Sequence, residues 1–340
     1  MLKVGLIGIG FMGRGHLDNY IRLETEGFPV KLVAICDIDE DKFQNKFVPG
    51  NINVGNAKYD FSKYNLYTDI DEMLEKEELD YVDIALPTYL HAEVTIKALN
   101  KGIHVLCEKP MALNVEECQA MIDAAEKNNR KLMVAQCLRF WPAYEYLKEC
   151  VETNRFGKVL GAYFFRGGGT PKWSYQNWLM HKEKSGGALL DQHVHDVDMI
   201  NWLFGTPKAV STIGKNVIPT SGYDIVSTRY IYEDGKVITA EDDWVLNGDF
   251  GFEMLFRVNF EKGNVVFKKG VLKVNPNDGE SFTPDLPKED GYYREIKYFA
   301  NALLNDTPIE VASPYSTMET IRIAQAEMES ADNGGKFVEL

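Results

Sequence analysis

The sequence predicts a doubly wound α/β domain with a parallel sheet over residues 1–153 and, over 154–340, an α+β domain with a large, open-faced, mainly antiparallel sheet. Two textures predict this division. In the first half, short runs of Val, Ile, Leu and Ala alternate with helical patterns, as expected for strands buried on both faces of a parallel sheet. After Phe156 the runs alternate polar and apolar residues between Gly, Asp and Asn turn signals, the mark of strands with one face exposed. The length, 340 residues with 45% hydrophobic, is enough for two buried cores.

Taken in order, the first half reads LKVGLIGI, a helix from Phe11 to Glu24, VKLVAICD, YVDIALP, a helix from His91 to Lys101, IHVLCEK, a helix from Asn114 to Asn128, and KLMVAQC. Between the second and third of these strands, Asp39 to Tyr67 breaks the rhythm with Asn, Lys, Tyr and Gly. It reads as an insertion, either lying over a bound nucleotide or forming a surface excursion. The second half reads KVLGAYFFRG, AVSTIGKNVI, DIVSTRYIYE, KVITAEDDWV, FEMLFRVNF, GNVVFKK and GVLKVN as strands. One apolar helix, Gly187 to Phe204, interrupts them. Helical patterns from Tyr292 to Asn305 and Ser316 to Ser330 close the chain and are placed to pack back on the first domain.

A net charge of -14, spread along the chain, speaks against nucleic acid or an anionic membrane as partner. Cys36, Cys107, Cys118, Cys137 and Cys150 are odd in number and lack zinc spacing, so they read as free thiols in a reducing compartment. With no charged leader ahead of LKVGLIGI and no run of about 20 apolar residues, cytoplasmic residence is the expectation. No metal site is indicated: on a helix, His193 and His195 point apart.

Gly8, Gly10 and Gly13, with Phe11 and Met12 between them, form GxGxxG after the first strand and open a helical pattern. Such glycines let the backbone turn tightly and approach a pyrophosphate, while the helix N-terminus offers unpaired N–H groups to it. The second strand ends on Asp37, where a Rossmann dinucleotide fold places the acid that binds a ribose diol. No cation follows Asp37 until Lys42, so a 2′-phosphate would meet Asp37 and Asp39 unaided. NAD is therefore favoured over NADP.

Further motifs are more specific. They are LPTYLH (Pro87, Thr88, His91), Glu108-Lys109-Pro110, CLRFWP (Arg139, Phe140, Pro142) and GGALLDQHVHDVD from Gly186 to Asp198. With GIGFMG, in this order and over nearly the whole chain, they resemble the Gfo/Idh/MocA family of glucose-fructose and inositol-type oxidoreductases. The resemblance implies a Rossmann domain followed by an open-sheet domain through which copies dimerise or tetramerise. It also implies Lys109, Asp191 and His195 as catalytic positions, Glu108 beside the nicotinamide ribose, and Pro87, Thr88 and His91 along the cofactor. Two departures stand out: His193, where many relatives carry Gly, and the stretch from Asp39 to Tyr67.

These residues suit hydride transfer. Oxidising a secondary alcohol needs a base for the hydroxyl proton and a cation for the developing alkoxide. On one continuous helix Asp191, His195 and Asp198 stand at i, i+4 and i+7, a polar stripe among Leu190, Val194, Val197, Met199, Ile200 and Leu203. Such a stripe needs a partner or a cavity. His195 is the expected general base, Asp191 its orienter or a holder of the substrate hydroxyl, and Lys109 the cation. Arg139, Arg166, Trp173 and Trp178 are candidate walls of a carbohydrate or polyol site. The expected activity is an NAD-dependent dehydrogenase acting on a sugar or cyclic polyol. A glycoside hydrolase working by transient oxidation and elimination, and a dinucleotide sensor without turnover, are the alternatives.

Overall fold

Six short strands, β1 (Leu2–Ile7), β2 (Val30–Cys36), β3 (Asn65–Tyr67), β4 (Tyr81–Ile84), β5 (His104–Glu108) and β6 (Leu132–Ala135), pair in parallel in the order β3-β2-β1-β4-β5-β6. The computed structural model describes residues 1–46, 48–50 and 58–340. They divide into a unit made of Met1–Cys137, Trp173–Gln176 and Tyr292–Met318 and a unit made of Leu138–Lys172, Asn177–Gly291 and Glu319–Leu340.

In the first unit the apolar runs become strands because both faces of the sheet are covered. Val4, Leu6, Ile35, Val82, Ile84, Val105, Leu106 and Val134 are fully buried or nearly so. Helices α1 (Phe11–Thr25), α2 (Ile70–Lys76), α3 (His91–Asn100) and α4 (Val115–Lys127) make the crossovers. The order reverses at β1 and β4, which opens a crevice beyond their C-terminal ends. The stretch read as an aperiodic insertion contributes β3, which pairs with β2 from Ala34↔Asn65 to Cys36↔Tyr67. A three-residue edge strand, mostly exposed, is too short to show a period. Residues 47 and 51–57 of that stretch lie outside the described residues.

The second unit is built on an eight-stranded sheet. Its strands are β7 (Val159–Gly168), β8 (Ala209–Lys215), β9 (Ile225–Ile231), β10 (Val237–Asp243), β11 (Phe252–Phe260), β12 (Gly263–Lys268), β13 (Val271–Pro276) and β14 (Val338–Glu339), in the order β13-β12-β11-β7-β10-β9-β8-β14. β7 and β10 run parallel and the other pairs are antiparallel. One face is core: Phe164, Phe256, Phe267, Val226, Tyr230, Ile238 and Ala240. The other face mixes Tyr163 and Val237 with Ser227, Arg229, Thr239, Glu241 and Arg257.

Helix α5 (Pro142–Glu152), read from sequence with the first domain, belongs to the second unit. Its Tyr144 is fully buried, with ring centroids 4.9 Å from Phe256 and 5.9 Å from Phe267. Of the closing helices α9 (Gly291–Leu304) and α10 (Pro314–Asp332), residues Tyr292–Met318 join the first unit and Glu319 onward the second.

The single helix expected from Gly187 to Phe204 is two, α7 (Gly187–Asp191) and α8 (Val194–Phe204), following the short α6 (Lys182–Ser185). The Ala188 carbonyl accepts from both the Gln192 and His193 amides, at 2.9 and 2.8 Å. The ladder therefore slips by one residue, a π-type step. Among the described residues no helix is long and apolar enough to cross a membrane.

Candidate functional site

In the first unit, β1 turns into α1 through Gly8, whose φ of +90° is costly for any residue with a Cβ. A Cβ on Gly13 would run into the Gly8 carbonyl oxygen, so these two glycines close the turn on itself. A Cβ on Gly10 would meet nothing within 4 Å. Gly10 is also the N-cap of α1 and supplies no side-chain cap, leaving the amides of the first turn for a ligand. Phe11 and Met12, half-buried, occupy that turn. A cradle open at Gly10 and tight at Gly8 and Gly13 fits a pyrophosphate.

Asp37 follows β2 and is 5% exposed. Its carboxylate accepts the Ile9 amide at 2.9 Å, tying the glycine turn to the end of β2, and the Asp39 amide at 3.0 Å. It also accepts the Lys42 ammonium at 2.8 and 3.0 Å. The sequence reading found no cation beside Asp37 before Lys42. The turn Glu40–Gln44, capped by the Asp39 side chain on the Asp41 amide, brings it back.

His91 is buried, with Nδ1 2.8 Å from the Pro110 carbonyl and Nε2 2.8 Å from the Leu86 carbonyl. Burial lowers its pKa, and the two carbonyls partly offset this. Expected along the cofactor, His91 instead ties the Pro87 turn to the Lys109-Pro110 turn. Thr88 is buried and opens the short turn after Pro87. Lys109 is half-buried, its amide donates to Glu108 Oε2 at 3.0 Å, and its bond to Pro110 is cis. Asn114 caps α4 by accepting the Glu117 amide at 2.8 Å.

Glu108, expected at a ribose, is buried and receives the imidazole of His16, whose other nitrogen meets Asp83. Burial opposes charge on His16, yet Asp83 and Glu108 outweigh it and hold its pKa well above the ordinary value. Tyr20 donates to Asp83 at 2.8 Å. His16, Glu108 and Glu295 place ligating atoms within 4.8 Å of one another. Both nitrogens of His16 already face carboxylates, which is an imidazolium's arrangement and leaves no lone pair for a metal. The sequence reading passed over His16 and Asp83. The signal was present: a His beside the apolar stripe of Leu17, Tyr20 and Leu23, and an Asp inside the buried run YVDIAL, each need a partner.

In the second unit Asp191 ends α7 and His195 lies in the first turn of α8. Asp191 and His195 are half-buried, whereas Asp198 is fully buried. Asp198 takes Arg139 in a fork, Nε to Oδ2 at 2.9 Å and Nη2 to Oδ1 at 2.7 Å, and accepts Thr320 Oγ1 at 2.8 Å. Arg166, 3% exposed, forks onto Asp196 at 3.1 and 3.3 Å. Both arginines were expected as substrate ligands; their guanidiniums are committed to buried carboxylates instead. His193 is buried with Nε2 3.5 Å from Glu327. Trp178 packs on Leu179, Met180, Ala188 and Trp244. Trp173, half-buried, lies in the first unit. The five thiols are buried, and burial raises those of Cys36 and Cys118 to about 12, far from nucleophilic.

Comparison with known proteins bears on this arrangement. Residues 2–136 match the family model described as the oxidoreductase family, NAD-binding Rossmann fold, and residues 144–266 match the GFO/IDH/MocA C-terminal domain. A levoglucosan dehydrogenase of Pseudarthrobacter phenanthrenivorans is 33% identical over 72% of this chain and 63% of its own length. A 2,7-anhydro-N-acetylneuraminate hydratase of Mediterraneibacter gnavus is 34% identical over 62% of this chain and 53% of its own. The matches thus span between about half and two thirds of these relatives' length. A solved levoglucosan dehydrogenase in complex with NADH and levoglucosan has a TM-score of 0.85 at 25% identity, covering 99% of both chains. Two family models falling in order on the two halves, with the glycine cradle built as the first requires, show that the chain belongs to the Gfo/Idh/MocA oxidoreductase family.

Proposed function

We propose that this chain is an NAD-dependent dehydrogenase that moves a hydride between the nicotinamide and a secondary hydroxyl carbon of a sugar or cyclic polyol. The observation that carries the reading is the cradle of Gly8, Gly10 and Gly13 with Asp37 hydrogen-bonded to its Ile9 amide. NAD, when bound, supplies the hydride acceptor. The α1 amides beside Gly10, Phe11 and Met12 hold its pyrophosphate and Asp37 its adenosine ribose, while Pro87, Thr88 and Glu108 shape the turns along it.

His195 takes the hydroxyl proton, Lys109 stabilises the alkoxide that forms, and Asp191 holds the substrate hydroxyl or orients His195. Trp173 and Trp178 offer apolar faces to a sugar ring. The relatives' names, levoglucosan dehydrogenase and 2,7-anhydro-N-acetylneuraminate hydratase, support a carbohydrate substrate. The hydratase also keeps open a second reading, transient oxidation with no net change in NAD. Self-association through the exposed face of the second unit's sheet belongs to the proposal, and sedimentation tests it.

Purified protein is screened with NAD against inositols, aldoses, levoglucosan and 2,7-anhydro-N-acetylneuraminate, following reduced nicotinamide and product separately. Accumulation of NADH with one of these supports the dehydrogenase. Product without NADH supports the second reading. Lys109→Ala is expected to keep NAD affinity and lose roughly 100-fold or more in turnover; near-normal turnover overturns its role.

A further inference from the structure

His193 has no part in the chemistry proposed above, yet it stands midway between Asp191 and His195. Its backbone is the joint of two helices. The amide donates to the Ala188 carbonyl at 2.8 Å and so closes α7, while the carbonyl accepts from the Asp196 and Val197 amides at 2.9 and 3.1 Å and so opens α8. Asp191 ends the first helix and His195 lies in the first turn of the second.

The side chain at this joint is tied to other elements of the same unit. It is fully buried, and Nε2 lies 3.5 Å from Glu327 Oε2 on α10 and 3.4 Å from the Tyr230 hydroxyl on β9. Glu327 is equally buried, and among the described residues its one ion pair is with His193. A carboxylate kept from water needs an opposite charge, and the imidazole is the group placed to supply it. The other charged groups around the ring are Asp242 on β10 and Asp196 on α8, with Arg166 of β7 forked onto Asp196. Burial disfavours charge on His193, and Glu327, with Asp242 and Asp196 after it, outweighs the burial and raises its pKa. The charge is therefore complete below the ordinary value of about 6.5 and is lost as pH rises through the folded value.

We propose that His193, through its contact with Glu327, is a positioning residue that fixes the spacing and aim of Asp191 and His195. The joint cannot swing without drawing the imidazole away from Glu327, so the residues on either side of it keep one arrangement while the pair is charged. Once the ring is neutral the tie weakens and the joint loosens. The inference rests on the roles proposed above for Asp191 and His195.

The test follows ring-15N histidine signals of the whole protein against pH, without substrate. The His193 and His195 signals are identified by their absence from His193→Gln and His195→Gln. In wild type His193 is expected to lose its proton above about pH 6.5, and the His195 signal to shift at that same pH. In Glu327→Gln both changes are expected at lower pH. A His195 signal that ignores the His193 transition, or a His193 that titrates no higher in wild type than in Glu327→Gln, overturns the proposal. With a compound that yields NADH in the screen above, Glu327→Gln is expected to lower kcat about 10- to 100-fold at unchanged NAD affinity, with the alkaline limb of kcat moved to lower pH. An unmoved pH profile overturns the positioning role. If no compound is turned over, the dehydrogenase reading fails, while the histidine signals still decide the joint. An unchanged melting temperature for Glu327→Gln separates these results from misfolding, and the wild-type titration alone decides if that variant does not fold.

Discussion

The Nε2 atom of His16 lies 2.9 Å from Oε1 of Glu108, with the imidazole wholly out of water. His16 Nδ1 meets Asp83 Oδ2 at 2.8 Å, so one cation on α1 joins the ends of β4 and β5. Because Glu108 also accepts the Lys109 amide, the pair fixes where the Lys109 turn begins.

Replacing His16 by Gln removes the cation between two buried carboxylates and is expected to cost about 3–5 kcal/mol. The sign with pH follows from the raised pKa of His16. The folded chain keeps a proton that the unfolded chain releases above its ordinary pKa of about 6.5. This contribution is complete below that pH and is lost as pH rises through the folded value. Urea unfolding of both proteins from pH 6 to 9 should show the wild-type advantage shrinking as pH rises. Parallel curves would show that the ring is neutral in the fold.

The parallel α/β alternation and the glycine cradle were legible because their signals are local: apolar runs of the right length, and glycines spaced GxGxxG directly after a strand. The slip between α7 and α8 was not legible. Gln192 and His193 are compatible with a continuous helix, so the local pattern carries no signal for a break in this largely buried segment. Arg139 and Arg166 look in sequence like ligand-binding arginines near aromatic motifs. Their assignment turns on Asp198 and Asp196, buried carboxylates brought to them by folding rather than by sequence distance. Lys42 was missed for a smaller reason: a turn makes five residues of separation into one hydrogen bond.

Arg139 and Asp198 make a second prediction. Both side chains are essentially without solvent, and Thr320 completes the carboxylate's bonding. Arg139→Met is expected to destabilise the protein by about 3–5 kcal/mol, since it strands a charge in the interior. Arg139→Met combined with Asp198→Leu is expected to recover most of that loss. A single-variant cost below about 1 kcal/mol in urea unfolding would mean that water reaches Asp198.

Asp242 on β10 presents the opposite case. It is 1% exposed, and among the described residues its carboxyl group has only the Gln192 side chain as a hydrogen-bonding neighbour, too poorly aligned for a full bond. Burial comes first in pushing its pKa well above the carboxylate range; nearby Asp196 adds to this, and His193 and Arg166 oppose it. The folded chain therefore holds a proton that the unfolded chain releases above its ordinary pKa of about 3.9. Wild-type stability falls with rising pH by up to about 1.4 kcal/mol per unit until the folded value is reached. Asn carries no such proton, so Asp242→Asn is expected to raise the melting temperature at pH 8 and to do so less at pH 5. A variant less stable than wild type at pH 8 would mean that Asp242 is ionised and paired with the His193 imidazolium, which Glu327 also faces. Repeating the measurement in His193→Gln separates the two. A neutral Asp242 gains at least as much from Asn without the imidazolium, whereas an ionised one loses its partner and makes the two substitutions non-additive.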